Sequence, residues 1–154
     1  MIAYLSGGME NAPKEGSKWR IEMNVWLKTN LGHDVIDPVV ESKKVIEKHN
    51  AEDYRSWKKT KPKVFKQLIR KLINQDLNAV VNNVDYLIVL WDESVIKGGG
   101  THGEVTVAYW MKKPIYLVNK LDMDDLSAWI LSCSTDVYKS FDELKIALMK
   151  EYSS

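Results

Sequence analysis

The chain has 154 residues, of which 45% are hydrophobic, and its 22 basic and 21 acidic side chains give a formal net charge of +1. We expect one domain over residues 1–154, because a chain of this length buries roughly 68–70% of its unfolded surface without a metal or a disulfide. The balanced charge argues against a nucleic-acid polymer or a membrane surface as a partner. The lone Cys133 and the short apolar run at the N-terminus predict a cytoplasmic protein without a signal peptide.

Short apolar runs alternate along the chain with amphipathic stretches of helical length. This pattern is typical of a mostly parallel sheet with helices on both faces. We therefore predict an α/β fold, a single Rossmann-like domain of the flavodoxin-like kind, with about five strands. The predicted strands are 2–6, 34–37, 85–91 and 115–118, with a weaker one at 137–138. The predicted helices are 17–30, 62–82, 102–112, 124–132 and 141–151.

The first strand ends in two glycines, in the run Tyr4-Leu5-Ser6-Gly7-Gly8. Glycines at a strand end let the backbone approach a ligand closely, and Ser6 offers a hydroxyl, although the same residues also suit a simple turn. In the following helix, Arg20 is placed either to reach an anionic group or to remain solvated. We retain Ser6, Gly7, Gly8 and Arg20 as candidate substrate-binding residues.

The segment 39–61 is polar and rich in lysine and glutamate. It is interpreted either as a lid over a site or as a solvated insertion, and the insertion is the more common case. No helix or strand is predicted within it.

Asp76 borders the apolar stripe of the long predicted helix, with Leu72, Ile73 and Leu77 on the same side. Partial burial raises the pKa of a carboxyl group, which would let Asp76 hold a proton near neutral pH and act as a general acid. The alternative is a carboxylate at the edge of the stripe that forms a hydrogen bond with Asn78 or with a nearby loop.

Asp92 and a run of glycines follow the central apolar strand. A carboxylate at the end of such a strand can accept hydrogen bonds from a sugar or a base, although Asp92 also suits a turn. Gly98, Gly99 and Gly100 then allow backbone N–H groups to point at a ligand, and Thr101 is expected to cap the helix that follows.

Glu104 lies in the first turn of that helix, at the carboxyl end of a strand, where open α/β sheets bind ligands. The helix dipole would keep its carboxylate ionised, which suits a nucleophile. The competing interpretation is a capping box, because Thr101 followed by Glu104 at this spacing is its signature. The histidines are too scattered to predict a metal site, and no metal is expected.

Several motifs of the chain share their order and spacing with one known superfamily, although each motif alone is weak. They are Tyr4, Gln75-Asp76-Leu77-Asn78, the strand 85–92, Gly100-Thr101-His102-Gly103-Glu104 with Ala108, and Lys113-Pro114-Ile115-Tyr116. Over most of its length the chain thus resembles the nucleoside 2-deoxyribosyltransferase superfamily, which includes nucleoside 5′-monophosphate N-glycosidases. The resemblance makes Glu104 the nucleophile at the anomeric carbon, Asp76 the residue that protonates or grips the base, and Tyr4 the residue that holds the nucleophile.

The resemblance implies cleavage of the N-glycosidic bond of a (2′-deoxy)nucleoside or its 5′-monophosphate through a covalent glycosyl-Glu104 intermediate. The sugar then passes to another base, as in a transferase, or to water, as in a hydrolase. The implied partners are a small-molecule nucleoside or nucleotide and a nucleobase, and no cofactor is implied. We also expect a homo-oligomer, a dimer or higher, assembled through Tyr109 and Trp110 on the helix of Glu104.

Gly98, six residues before Glu104, bears on the implied substrate. Members of the superfamily that act on free nucleosides often have a carboxylate there, and those that hydrolyse 5′-monophosphates tend to have a serine. A glycine provides neither side chain, but consecutive backbone amides bind phosphate, which favours a 5′-monophosphate slightly.

Two other functions fit the same residues. The glycine loop also resembles the signature of nucleoside 5′-monophosphate phosphoribohydrolases, although Lys97 stands where the first glycine should be. The second alternative is a non-catalytic, nucleotide-sensing Rossmann-like module, in which Glu104 binds a ribose hydroxyl or caps its helix.

Overall fold

A parallel five-stranded sheet forms the centre of the molecule, as seen in a computed structural model that describes residues 1–153. The strands are β1 (Ile2–Gly7), β2 (Asp34–Ile36), β3 (Tyr86–Trp91), β4 (Ile115–Asn119) and β5 (Asp136–Tyr138). Their order is β2-β1-β3-β4-β5, and each neighbouring pair is parallel. The predicted α/β fold is confirmed, including its weak fifth strand.

Helices connect the strands on both faces of the sheet. The α-helices are α1 (Ser17–Leu31), α2 (Pro38–Lys48), α3 (Trp57–Thr60), α4 (Pro62–Asn78), α5 (Gly100–Trp110), α6 (Ala128–Cys133) and α7 (Phe141–Tyr152). A π-helical turn, Ala79–Asn83, extends α4, and short 3₁₀ turns lie at Pro13–Gly16, Tyr54–Ser56, Glu93–Val95 and Met123–Asp125. Within residues 1–153, no helix has the length and apolar character needed to cross a membrane.

The side-chain alternation of β1 separates two apolar cores. Tyr4 points to the face covered by α5 and α6, whereas Ala3 and Leu5 point to the face covered by α1 and α7. Near-continuous burial of β1 and β3 explains why β3 is apolar throughout, and β1 as far as Leu5, instead of alternating. The side chain of Tyr4 is thus held on the same face as the helix of Glu104.

The segment 39–61 is mostly helical. Asp37 caps α2 by accepting a 2.8 Å hydrogen bond from Val39 N, and Pro38 occupies the first helical turn. Ala51 and Tyr54 then pack against Leu68 of α4 in a small separate core. The segment is therefore folded onto the domain and is not a loose solvated insertion.

The helix that carries Glu104 begins before the predicted cap. Gly99 is the N-cap residue of α5, no side chain caps this helix end, and Thr101 lies within the first turn. The prediction that Thr101 caps the helix is wrong, because the helix starts at Gly100. The capping-box alternative fails with it, which leaves the side chain of Glu104 free for another role.

Candidate active site

Tyr4, Asp76 and Glu104 meet at the carboxyl end of β1. Ser6 lies two residues after Tyr4 on the same face of β1, and its hydroxyl donates a 3.4 Å hydrogen bond to Glu104 Oε1. Glu104 Oε2 and the Tyr4 hydroxyl are buried and have no hydrogen-bond partner of good geometry among residues 1–153. Two polar groups are thus left unpaired in a buried site, as happens where a ligand supplies the missing partners.

Electrostatic effects show how close the three groups lie. After burial, the charges of Glu104 and Asp76 are the strongest influences that raise the pKa of Tyr4. In return, the Tyr4 hydroxyl lowers the pKa of both carboxyl groups. Tyr4 therefore lies within interaction range of both acids, and it favours their ionised forms.

Both acids hold protons more tightly than usual. Burial is the main cause for each, and it raises the pKa of Asp76 to about 7 and that of Glu104 to about 8. The expectation that the helix dipole keeps Glu104 ionised at neutral pH is therefore wrong. Glu104 is only 8% exposed, and the cost of desolvating its charge exceeds the benefit of its place in the first helical turn.

A cavity of about 210 Å³ opens beside these carboxyl groups. It brings together Asp76 and Glu104 with six of the residues predicted to bind substrate. Those six are Gly7, Gly8, Gly98, Gly99, Gly100 and Thr101. Tyr4 and Ser6 lie beneath the cavity, buried within β1.

The cavity also has walls that sequence reasoning missed. The segment 39–61 contributes Ser42, Tyr54 and Arg55, and α4 contributes Ile73 among other apolar residues. The run Met9–Asn11 completes the rim. The available signals were the Asp37-Pro38 helix start and the aromatic Tyr54 in a polar stretch, which together indicate a packed element.

Arg20 does not line the cavity, contrary to expectation. Its side chain is fully buried, and it donates hydrogen bonds to the carbonyl oxygens of five residues, at distances of 2.9 to 3.4 Å. These acceptors belong to Leu5, Gly7, Gly8, Glu15 and Gly16. With its donors occupied and Asp37 at 3.7 Å, Arg20 shapes the turn after β1 instead of binding an anion.

Asp92 also has a structural role. Its carboxylate accepts hydrogen bonds from the backbone N–H and the hydroxyl of Ser94, and so caps the 3₁₀ turn after β3. It faces a neighbouring cavity lined by Lys18 and Trp19, not the cavity of Glu104. Asp92 thus has the predicted turn role, and its contact with a substrate stays a prediction, since it lines the cavity next to that of Glu104.

A second cavity lacks acidic groups. This larger cavity, of about 630 Å³, lies between the end of α5 and the start of β4, and it is lined by Trp110, Lys113 and Cys133 but by no acidic side chain. Within the described part of the chain, no cluster of three or more His, Cys, Asp or Glu side chains is arranged to hold a metal.

Comparison with known proteins gives a likeness of structure only. No protein-family model matches the chain, and no curated protein sequence matches it. Among solved structures, the chain is similar to a 2-deoxyribosyltransferase from the psychrotolerant bacterium Bacillus psychrosaccharolyticus. The two are 15% identical, with a TM-score of 0.57 over 94% of this chain and 90% of the other. The chain thus has the fold of a 2-deoxyribosyltransferase, in agreement with the resemblance noted in its sequence.

Proposed function

We propose that this protein cleaves the N-glycosidic bond of a 2′-deoxynucleoside or its 5′-monophosphate, with Glu104 as the nucleophile. The observation that carries the proposal is that Glu104 and Asp76, from two separate helices, line one cavity, with Tyr4 of β1 buried close to both. The likeness to a 2-deoxyribosyltransferase supports it independently.

The proposed reaction has two displacements at C1′ of the sugar. A carboxylate oxygen of Glu104 forms a bond to C1′ as the bond to the base nitrogen breaks, and Asp76 gives its proton to the departing base. In the second step, a new base or a water molecule attacks C1′ and the bond from C1′ to Glu104 breaks. The attacking molecule gives its proton to the ionised Asp76. If a base is the acceptor, the enzyme is a transferase, and if water is the acceptor, it is a hydrolase.

The raised pKa of Asp76, about 7, suits a proton donor, whereas the pKa of Glu104, about 8, is the higher of the two, so ionisation of the nucleophile depends on the positive charge that develops on the sugar. Two nearby carboxyl groups in a desolvated site share a proton between about pH 7 and pH 8, because the charge of Asp76 opposes ionisation of Glu104. A sugar that becomes cation-like stabilises the ionised form of Glu104, so the shared proton is best placed on Asp76 in the transition state.

Ser6 and Tyr4 prepare the nucleophile. The Ser6 hydroxyl occupies Glu104 Oε1, which leaves Oε2 without a partner. We assign the attack on C1′ to the carboxylate of Glu104, because this residue lines the cavity. Tyr4, which favours the ionised carboxylate, then holds the nucleophile in place.

Base release is the direct test. The purified protein is incubated with a deoxynucleoside, its 5′-monophosphate or the matching ribonucleotide, with and without a second free base, and the products are separated by chromatography. We expect base release from a deoxy substrate and its loss in Glu104→Gln, with Glu93→Gln, an exposed glutamate on the turn after β3, as the matched control.

The product pattern also separates the alternatives. A new nucleoside that forms only when the second base is present identifies a transferase, and free sugar or sugar phosphate identifies a hydrolase. Cleavage of the ribonucleotide alone would replace the proposal with the phosphoribohydrolase function. Binding of nucleotide without any base release would favour the sensing module.

A further inference from the structure

Arg55 is the sole basic side chain on the wall of the Glu104 cavity within the described residues. It follows Tyr54, whose ring is buried in the small core of the segment 39–61. The Arg55 guanidinium lies over the Tyr54 ring, 5.0 Å from the ring centre, and its Nη2 donates a 2.6 Å hydrogen bond to Glu15 Oε1. Arg55 thus lines both this cavity and a neighbouring one, and Glu15 lines the neighbouring one.

The ion pair between Arg55 and Glu15 is weak enough for another anion to replace Glu15. Both side chains are more than one-third exposed, and ion pairs of this kind add little stability in water. Glu15 itself sits in a constrained turn, where Lys14 and Glu15 adopt left-handed backbone angles although neither is a glycine. Arg20 holds this turn through the carbonyl oxygens of Glu15 and Gly16. The acceptor of Arg55 is therefore held in place, while the bond to Arg55 remains weak.

The same cavity also offers backbone donors. Gly98, Gly99 and Gly100 all line it, and a side-chain carbon added at Gly99 would meet no atom within 4 Å. Neither a left-handed backbone angle nor close packing explains this glycine run. The first N–H groups of α5 have no side-chain cap, and Glu104 Oε1 would lie 3.9 Å from a side-chain carbon added at Gly100.

From this arrangement we infer that Arg55 exchanges Glu15 for the 5′-phosphate of a nucleoside monophosphate, which the backbone amides of Gly99 and Gly100 also contact, because the Gly98 N–H already donates to Val95 O. The inference rests on the proposed function, because the sugar must lie over Glu104 for its phosphate to reach this end. A guanidinium pairs more strongly with a phosphate dianion, through two parallel hydrogen bonds, than with one exposed carboxylate. Arg55 is then the residue that makes a monophosphate a better ligand than the free nucleoside.

The test compares a deoxynucleoside monophosphate with its parent deoxynucleoside. The ratio of their kcat/KM values should fall roughly ten- to hundredfold in Arg55→Gln and recover in part in Arg55→Lys. Lys58→Gln is the matched control, because Lys58 belongs to the same segment and pairs with Glu10 at 4.0 Å but does not line the cavity. An unchanged ratio in Arg55→Gln would overturn the inference.

A binding measurement separates this inference from the proposed function. The dissociation constants of the same two compounds are measured by calorimetry on Glu104→Gln, alone and combined with Arg55→Gln or Glu15→Gln. We expect tighter binding of the monophosphate, loss of that preference with Arg55→Gln, and a gain with Glu15→Gln, which frees Arg55. If this pattern holds while the unaltered protein releases no base, the proposed function fails and the phosphate site stands. Weaker monophosphate binding in Glu15→Gln would overturn the exchange.

Discussion

The buried carboxyl group of Glu104, our proposed nucleophile, lowers the stability of the folded protein. Its carboxyl group is buried, and its pKa rises from the usual 4.5 to about 8. The folded state therefore binds a proton that the unfolded chain has already released, so the residue lowers the free energy of unfolding increasingly as the pH rises from about 4.5 to 8.

Glu104→Gln should reveal this cost. The variant should be more stable than the unaltered protein at pH 9, by at least about 1.4 kcal/mol, the equivalent of one pKa unit. Near pH 4, where both folded and unfolded Glu104 are protonated, the difference should be small. Urea unfolding at the two pH values measures it, and Glu93→Gln controls for the loss of a charge. An equal difference at both pH values would show that the carboxyl group is not desolvated as described.

Asp76 lies on the apolar side of α4, and we assign to it the proton that the departing base receives. Asp76→Asn cannot donate this proton, so the rate should fall roughly 10²- to 10⁴-fold for bases that leave poorly and much less for bases that leave well. Rates measured over a series of bases of different basicity test this. A uniform reduction across the series, together with a lower melting temperature, would assign Asp76 a purely structural role.

At the scale of the element, the turn between β1 and α1 depends on one buried guanidinium. Arg20 supplies hydrogen bonds to five carbonyl oxygens and lies 3.7 Å from Asp37. Arg20→Lys retains the charge but lacks the planar fork, so several carbonyl oxygens lose their donor.

We expect Arg20→Lys to lower the free energy of unfolding by about 3–5 kcal/mol, as in other disrupted buried ion pairs. Denaturant unfolding measures this loss, and Lys28→Gln on the exposed side of α1 is the control. A loss below about 1 kcal/mol, comparable to an exposed pair, would contradict the structural role assigned to Arg20.

The elements differ in how well their sequences predict them. Apolar runs such as β3 and the Ser140 cap of α7, which binds Glu143 N, follow from local rules. The helices of the segment 39–61 were not predicted because its many lysines and glutamates obscure the apolar stripe of α2, which packs Val45 and Ile46 against the small core around Leu68. The start of α5 was misplaced because its N-cap is glycine, while Thr101 has the composition of a cap.

At the scale of the whole molecule, the strand order explains why the candidate site forms where it does. β1 lies between β2 and β3 in the sheet. The connection that follows β1 leads to β2 on one side of it, and the connection that follows β2 leads back to β3 on the other side. Such a switch point opens a crevice at the carboxyl edge of the sheet, and Tyr4, Asp76 and Glu104 converge there. The sequence predicted these three residues, but the contribution of Arg55 depends on a tertiary contact that no local pattern reveals.

The assembly predicted from the sequence belongs to this scale as well. Trp110 and Tyr109, at the end of α5, are 78% and 56% exposed, an unusual state for large aromatic side chains. We expect a dimer or higher oligomer that Trp110→Glu dissociates, with Ile146→Glu on the opposite face as the control. Sedimentation velocity measures the change. A monomeric unaltered protein at micromolar concentration would contradict this expectation.

Covalent capture of the sugar tests the central claim most directly. The protein is incubated with a 2′-fluoro-2′-deoxynucleoside or its 5′-monophosphate, because the fluorine slows breakdown of the glycosyl-enzyme, and the intact mass is then measured. The account predicts one added glycosyl group per chain, mapped to Glu104 by peptide sequencing and missing in Glu104→Gln. Base release without any adduct, or an adduct on another residue, would contradict it.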